Sequence, residues 1–259
     1  MHPLETYLRE LRDIRSSGAA MDEISFYGPL ANLLNEVGKT LKPKVRCIIN
    51  LKNRGAGIPD GGLFTPDQFQ KASDAEPVPG TLPARGAIEA KGTSQNVEQI
   101  ARSAQVTKYL GKYGQVLVTN LRDFVLVGQD TNGQPVLLES YHLAESEAEF
   151  WAAAAHPRKL TGQHGERFPE YLKRVMLHAA SLSSPQDLAW FLASYARDAR
   201  ARVESADLPA LSAVRAALEE ALGITFEGKK GEHFFRSTLV QTLFYGVFSA
   251  WVLWHKENP

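Results

Sequence analysis

The sequence predicts an α/β domain with a mixed central sheet, followed by an all-helical region. Three observations carry that expectation. Short runs rich in β-branched residues alternate with helical periods up to about residue 145. The elements come in the order helix, strand, strand, strand, helix, strand, strand, which places helices against a sheet of mixed direction. Beyond Ala144, alanine, leucine, arginine and glutamate dominate and only helical periods remain.

Leu4, Leu8, Leu11 and Ile14 recur at helical spacing and predict the first helix. A second begins near Met21-Asp22-Glu23 with Asp22 as its cap, turns Phe26, Leu30, Leu33, Leu34 and Val37 inward, and stops at Gly38. Val45 to Leu51 reads as a strand, and a glycine-punctuated stretch from Asn53 to Gly62 leads into Leu63-Phe64. Residues 65–85 carry Pro66, Pro77, Pro79 and Pro83 among polar residues without an apolar period, which predicts a surface excursion or a mobile loop. Gly86 to Lys91 is a short strand and Val97 to Leu110 a helix. Gln115 to Thr119, Phe124 to Val127 and Val136 to Tyr141 are further strands.

Helical patterns then cover 146–155, 168–182, 185–203, 207–222 and 232–255. The expected division is therefore 1–145 and 146–259. The stretch from Leu239 to Trp254 is apolar on nearly every face, and a helix of that kind needs partners all round. The chain is accordingly expected to be part of a larger protein.

Composition narrows the class. Lysine plus arginine and aspartate plus glutamate number 29 each, so a polyanion site must come from local clustering. The single cysteine, Cys47, excludes a disulfide framework and a cysteine-based zinc site and suits a reducing cytosol. No apolar run approaches the ~20 residues needed to span a bilayer, and the charged start is unlike a signal peptide. A cytoplasmic protein without a membrane partner is expected.

Several motifs fail on inspection. Gly38-Lys39-Thr40 ends a helix instead of starting one and lacks the leading glycine of a phosphate-binding loop. Gly55 and Gly57 lack the third glycine of a dinucleotide fingerprint, because Asp60 stands there. Neither a His-Glu-x-x-His helix nor a Gly-x-Ser-x-Gly elbow occurs.

What remains is an acidic and basic set. Asp60 follows a proline, and Glu89-Ala90-Lys91 lies on a strand, where positions two apart face one side. Glu89 and Lys91 therefore project together, with Ala90 directed to the opposite layer. Two carboxylates in oxygen-rich surroundings suit magnesium, and a lysine beside them positions or deprotonates water. Gln105 and Tyr109 stand four apart on one helical face. Glu23 is in register with Tyr27, Leu30 and Leu34, and Glu36 is its substitute. A second Glu-x-Lys, Glu227-Gly228-Lys229, sits in a turn-like context without an upstream acid and reads as a solvated loop.

Asp60, Glu89-Ala90-Lys91 and Gln105-x-x-x-Tyr109, in this order of strands and helices, resemble the PD-(D/E)xK nuclease superfamily over roughly residues 20–130. Glu23 is similar to the accessory acid of many members. The resemblance implies a restriction-endonuclease-like sheet flanked by helices. It implies Asp60, Glu89 and the Ala90 carbonyl as ligands of Mg2+ or Mn2+, and Lys91 as the residue that orients the attacking water. Gln105 and Tyr109 then support the site or a phosphate. The 29-residue step from Asp60 to Glu89 is long for the superfamily. An insertion at 65–85 explains it, or else Asp67 or Asp74 takes the role given to Asp60.

Gln241 to Ala250 resembles the segment that precedes the adenine-methyltransferase domain in type IIG or type ISP-like restriction-modification proteins. That resemblance implies a magnesium-dependent DNA endonuclease part. Residues 146–259 become a helical connector, with methyltransferase and specificity domains as partners in the same larger protein. Between residues 39 and 59 lie six cations and no acid. Lys42, Lys44, Lys52 and Arg54 are therefore the expected contacts to double-stranded DNA, and the bland alternative is edge-strand protection. The competing expectation for the whole is a non-catalytic DNA-binding or interaction module on a nuclease-like fold attached to a methyltransferase.

Overall fold

A computed structural model describes the chain apart from residues 19–22, 53–54, 71–72, 182–183, 206–209 and 259. The chain divides into two compact units, Met1–Ser181 and Leu182–Pro259. Asp22, expected to cap the second helix, and Arg54 lie outside the described residues.

The first unit opens with helix α1 (Pro3–Ser16), whose Leu4, Tyr7, Leu8 and Leu11 are buried. A helical turn at Ile24–Phe26 leads into α2 (Tyr27–Gly38). The strands are β1 (Arg46–Ile49), β2 (Gly61–Phe64), β3 (Phe69–Gln70), β4 (Ser73–Pro77) and β5 (Ala87–Ala90). After α3 (Val97–Ala101) and α4 (Ala104–Tyr113) come β6 (Val116–Thr119), β7 (Asp123–Gln129) and β8 (Pro135–His142). One six-stranded sheet has the order β1-β2-β5-β6-β7-β8, and β3 with β4 form a separate pair. Only β5 and β6 run parallel, joined through α3 and α4; every other neighbouring pair is antiparallel. The mixed sheet is thus the expected one.

Alternation along the strands sorts side chains into two layers. Ile88, Ala90, Leu117, Phe124 and Leu126 pack toward α1 and α2, whereas Ala87, Val116, Val118, Val125 and Val127 pack toward α3 and α4. Close approach of α2 to the start of β1 requires Gly38, since a Cβ there would lie 2.0 Å from the Val45 carbonyl oxygen.

Three details refine or differ from the expectation. The helix predicted over 97–110 is two, because Ser103 accepts the Val106 N–H at 3.2 Å and caps α4 afresh. Residues 65–85 hold the β3–β4 pair, and buried Gln68 closes the base of this excursion. Its side chain donates to the Leu82 carbonyl at 2.6 Å and accepts from the Thr65 and Ala84 N–H groups at 3.1 and 3.0 Å. The third difference is the boundary. Helices α5 (Glu147–Ala154), α6 (Pro157–His164) and α7 (Arg167–Leu177) belong to the first unit, and α6 had no sequence counterpart. Phe150, Phe168, Tyr171, Leu172 and Val175 are fully buried in the same core as α1 and α2. Arg174, 2% exposed, donates its Nε to Glu139 of β8 at 2.8 Å and also pairs through Nη2.

The second unit holds α8 (Pro185–Ser205), α9 (Leu211–Leu222) and α10 (Gly228–Glu257). No strand occurs among the described residues of 146–259. Glu227-Gly228-Lys229 starts α10 and is not on a strand. Helix α10 leaves Leu243, Tyr245, Val247, Trp251, Leu253 and Trp254 exposed. Among the described residues no helix is long and apolar enough to cross a membrane.

A chain ending at residue 145 strips the aromatic and aliphatic cover from the α1–α2 layer. It is expected to lose cooperative thermal unfolding, whereas a chain ending at Ser181 keeps it. Melts followed by circular dichroism distinguish the two boundaries, and a sharp transition in the shorter chain refutes the longer unit.

Candidate active site

At the C-terminal end of β5, an interior strand, side chains from both layers come together. Ala90 points into the α2 layer, so Glu89 and Lys91 share the opposite face, toward α4. Glu89 is only 1% exposed in the middle of this strand. Gln105 of α4 donates to Glu89 Oε2 at 3.3 Å and to the Tyr109 hydroxyl at 2.8 Å, so one amide links the two. Gly57 lets the loop before Asp60 lie over that tyrosine. Its φ is +110°, and a Cβ there would sit 3.3 Å from the Tyr109 ring.

Asp60 is placed by backbone pairing. Its carbonyl accepts the Asn50 N–H at 2.8 Å, and the next residue, Gly61, pairs with Ile88. Successive N–H groups of a strand point to opposite neighbours. The Lys91 N–H goes to Thr119 of β6 at 2.8 Å, so the Ala90 N–H points toward β2, which begins only at Gly61. Asp60 fills the gap, accepting the Ala90 N–H on Oδ2 at 2.8 Å. Its other oxygen, Oδ1, lies 2.6 Å from the Tyr27 hydroxyl, which is also 2.8 Å from Glu23 Oε1.

Lys91 gathers the set. Its ammonium lies 2.7 Å from Glu89 Oε1, 3.1 Å from Glu23 Oε1, 3.7 Å from Asp60 Oδ2 and 3.2 Å from the Ala90 carbonyl oxygen. Four hard oxygen donors thus surround one cationic centre, the donor chemistry that magnesium prefers. No three acidic or imidazole side chains form a ready metal cage among the described residues. The ammonium itself occupies the space between the carboxylates. Three carboxylates against one ammonium leave surplus negative charge, which a divalent cation offsets. On donor type and charge the residues fit such an ion.

The electrostatics reflect this crowding. Burial drives the Glu89 carboxyl up to about 7 against the opposing hydrogen bond from Lys91, and the Asp60 charge adds to the rise. Burial pulls the Lys91 ammonium down, but its bond to Glu89 and the charges of Asp60 and Glu89 outweigh that and hold it above the ordinary lysine range. Burial raises Tyr27, and its bonds to Asp60 and Glu23 raise it further. Burial also raises Tyr109, with Glu89 and Asp60 adding to it.

Asp60, Glu89, Lys91, Gln105, Tyr109 and Glu23 are therefore brought together. The structure also orders the alternatives. Glu36 pairs with Lys39 near the far end of α2, so Glu23 is the acid at this site. Asp67 lies in the excursion, where its charge acts on Arg85, and Asp74 stands on β4 outside the main sheet. Of the basic set, exposed Lys52 follows the end of β1 nearest Asp60. Lys42 and Lys44 precede the opposite end. Lys44 is five residues from Ile49, about 16 Å of extended strand.

Two clefts flank β1. One of 300 Å³ includes Lys52, Phe64, Val78 and Pro83; the other, of 490 Å³, includes Lys44, Arg46 and Phe69, and neither is lined by the carboxylates. Tyr27 was missed as a site residue. Its signal was the one-turn spacing from Glu23, the same spacing that links Gln105 to Tyr109.

No known family matches the sequence, and no curated protein does. Among solved structures the chain is similar to one described as the cryoEM structure of a DrdV–DNA complex. The TM-score is 0.41 and the identity 17%, over 67% of this chain and 95% of that one.

Glu89 binds its proton more tightly folded than unfolded, so its ionisation costs stability as pH rises from the ordinary glutamate range through about 7. Glu89→Gln is expected to raise stability at pH 8 by on the order of 1 kcal/mol and to change it little near pH 4. Denaturant titrations at the two pH values measure the difference. An equal effect at both would contradict the assigned burial cost.

Proposed function

We propose that this chain is a magnesium- or manganese-dependent endonuclease acting on double-stranded DNA, within a restriction-modification protein that carries adenine-methyltransferase and specificity domains. The observation that supports this most is the ring of Asp60, Glu89, Glu23 and Ala90 oxygens around one cationic centre at the end of β5. Asp60, Glu89 and the Ala90 carbonyl would hold the cation. Bound there, it supplies Lewis-acid polarisation of a phosphodiester.

The chain's own groups do the rest. Lys91, released from the carboxylates it now touches, orients the attacking water and balances charge that develops on the phosphate. Gln105 holds Glu89 and Tyr109 in fixed relation, and Glu23 supplies the accessory acid. Lys52, just beyond the end of β1 nearest Asp60, holds a phosphate near the scissile bond, and Arg54 is its companion in the basic stretch of the sequence. Lys42 and Lys44 meet phosphates farther along. A duplex carries one charge per about 1.7 Å of axis, so the length of β1 spans several of them.

Plasmid nicking with magnesium or manganese tests the reading. Asp60→Asn, Glu89→Gln and Lys91→Ala are each expected to lower the rate on the order of 10²-fold or more, while Glu227→Gln is silent. Cleavage by the parent chain at limiting magnesium should rise through pH 7 as Glu89 ionises, with the midpoint moving lower as magnesium increases and competes with the proton. DNA binding without cleavage in the parent chain would favour the non-catalytic module instead.

Replacing Lys42, Lys44 and Lys52 with glutamine should weaken DNA binding and make its salt dependence shallower. Fluorescence anisotropy over a salt series reads both. An unchanged affinity and slope would assign these lysines to edge protection.

A further inference from the structure

Tyr27 is 7% exposed, and its ring packs in the core beneath α1 and α2. Its hydroxyl leaves that core at the start of α2 and reaches around the end of the sheet. There it lies 2.6 Å from Asp60 Oδ1 and 2.8 Å from Glu23 Oε1. The opposite Asp60 oxygen is fixed by the Ala90 N–H at 2.8 Å. Asp60 is therefore clamped between a backbone donor from the central strand and a phenol from the helical layer. Glu89 has a matching support on the other face, the Gln105 amide at 3.3 Å.

A buried phenol has a rigid ring and one donor proton. It cannot fully satisfy two carboxylates at once, so it holds both acids near one point without neutralising either. That arrangement fixes where negative charge converges.

We propose that Tyr27 is a positioning residue for the divalent-cation site, setting the orientation of the Asp60 carboxylate and the approach of Glu23 to it. The proposal rests on the reading of Asp60 and Glu89 as cation-holding groups. Groups that orient ligating carboxylates typically contribute 10–100-fold to metal affinity or activity. Tyr27→Phe removes the hydroxyl and keeps the packed ring, which separates positioning from packing.

The experiment titrates Mn2+ into the full chain and follows free ion by electron paramagnetic resonance. Tyr27→Phe is expected to weaken Mn2+ binding about 10-fold or more, with the thermal midpoint close to that of the parent. In plasmid nicking it should lower kcat while leaving the KM for DNA unchanged. Parental Mn2+ affinity in Tyr27→Phe overturns the inference, and so does a collapsed thermal midpoint, which would make the residue a packing element. Asp60→Asn and Glu89→Gln are titrated in parallel. Parental affinity in both would sink the cation-site reading itself. Loss in both with no loss in Tyr27→Phe would sink only the role of Tyr27.

Discussion

The N–H of Ala90 is the group on which the site's geometry depends. It lies at the end of a central strand, between a parallel neighbour that has taken the Lys91 N–H and an antiparallel neighbour, β2, that begins only at Gly61, opposite Ile88. An unpaired main-chain donor in the interior is costly, and the Asp60 carboxylate removes that cost. The same bond turns a strand terminus into an anion held beside Glu89. Structure and chemistry use one contact, so Asp60 serves the ladder and the site together.

Strand alternation supplies the next constraint. A period of two sends Ala90 into the α2 layer and leaves Glu89 with α4, so helices on opposite faces each reach the cluster. Tyr27 comes from one layer and Gln105 with Tyr109 from the other. Burying Glu89 is unfavourable in isolation, and Lys91 makes it tolerable without balancing the charges of Asp60 and Glu23. The surplus charge sits at the C-terminal end of the interior strand β5 and outside the two clefts beside β1.

Helices α5 to α7 complete the same body. Phe168 and Tyr171 stack beside Tyr141, and Arg174 ties α7 to Glu139 of the edge strand. These contacts hold the far side of the sheet, while Tyr7 of α1 donates to the Leu121 carbonyl at 2.7 Å in the β6–β7 turn. The strands that carry the site are thereby clamped from a layer that contributes Tyr27 and Glu23 to it.

The sequence by itself determined the alternation of strands and helices, because periods of two and of 3.6 are local properties of the chain. It also determined that Glu89 and Lys91 share a face, that Ala90 does not, and that Gln105 and Tyr109 stand one turn apart. Only the tertiary structure brings Asp60 and Glu23, and not Asp67 or Glu36, to the end of β5, since that depends on which residue before β2 meets the Ala90 N–H and which end of α2 faces it. The place of α5 to α7 was likewise hidden, because a helical period announces an apolar face and not the surface that covers it. Tyr27 read as one more core residue for the same reason: its ring belongs to the core, and only the fold brings its hydroxyl to Asp60.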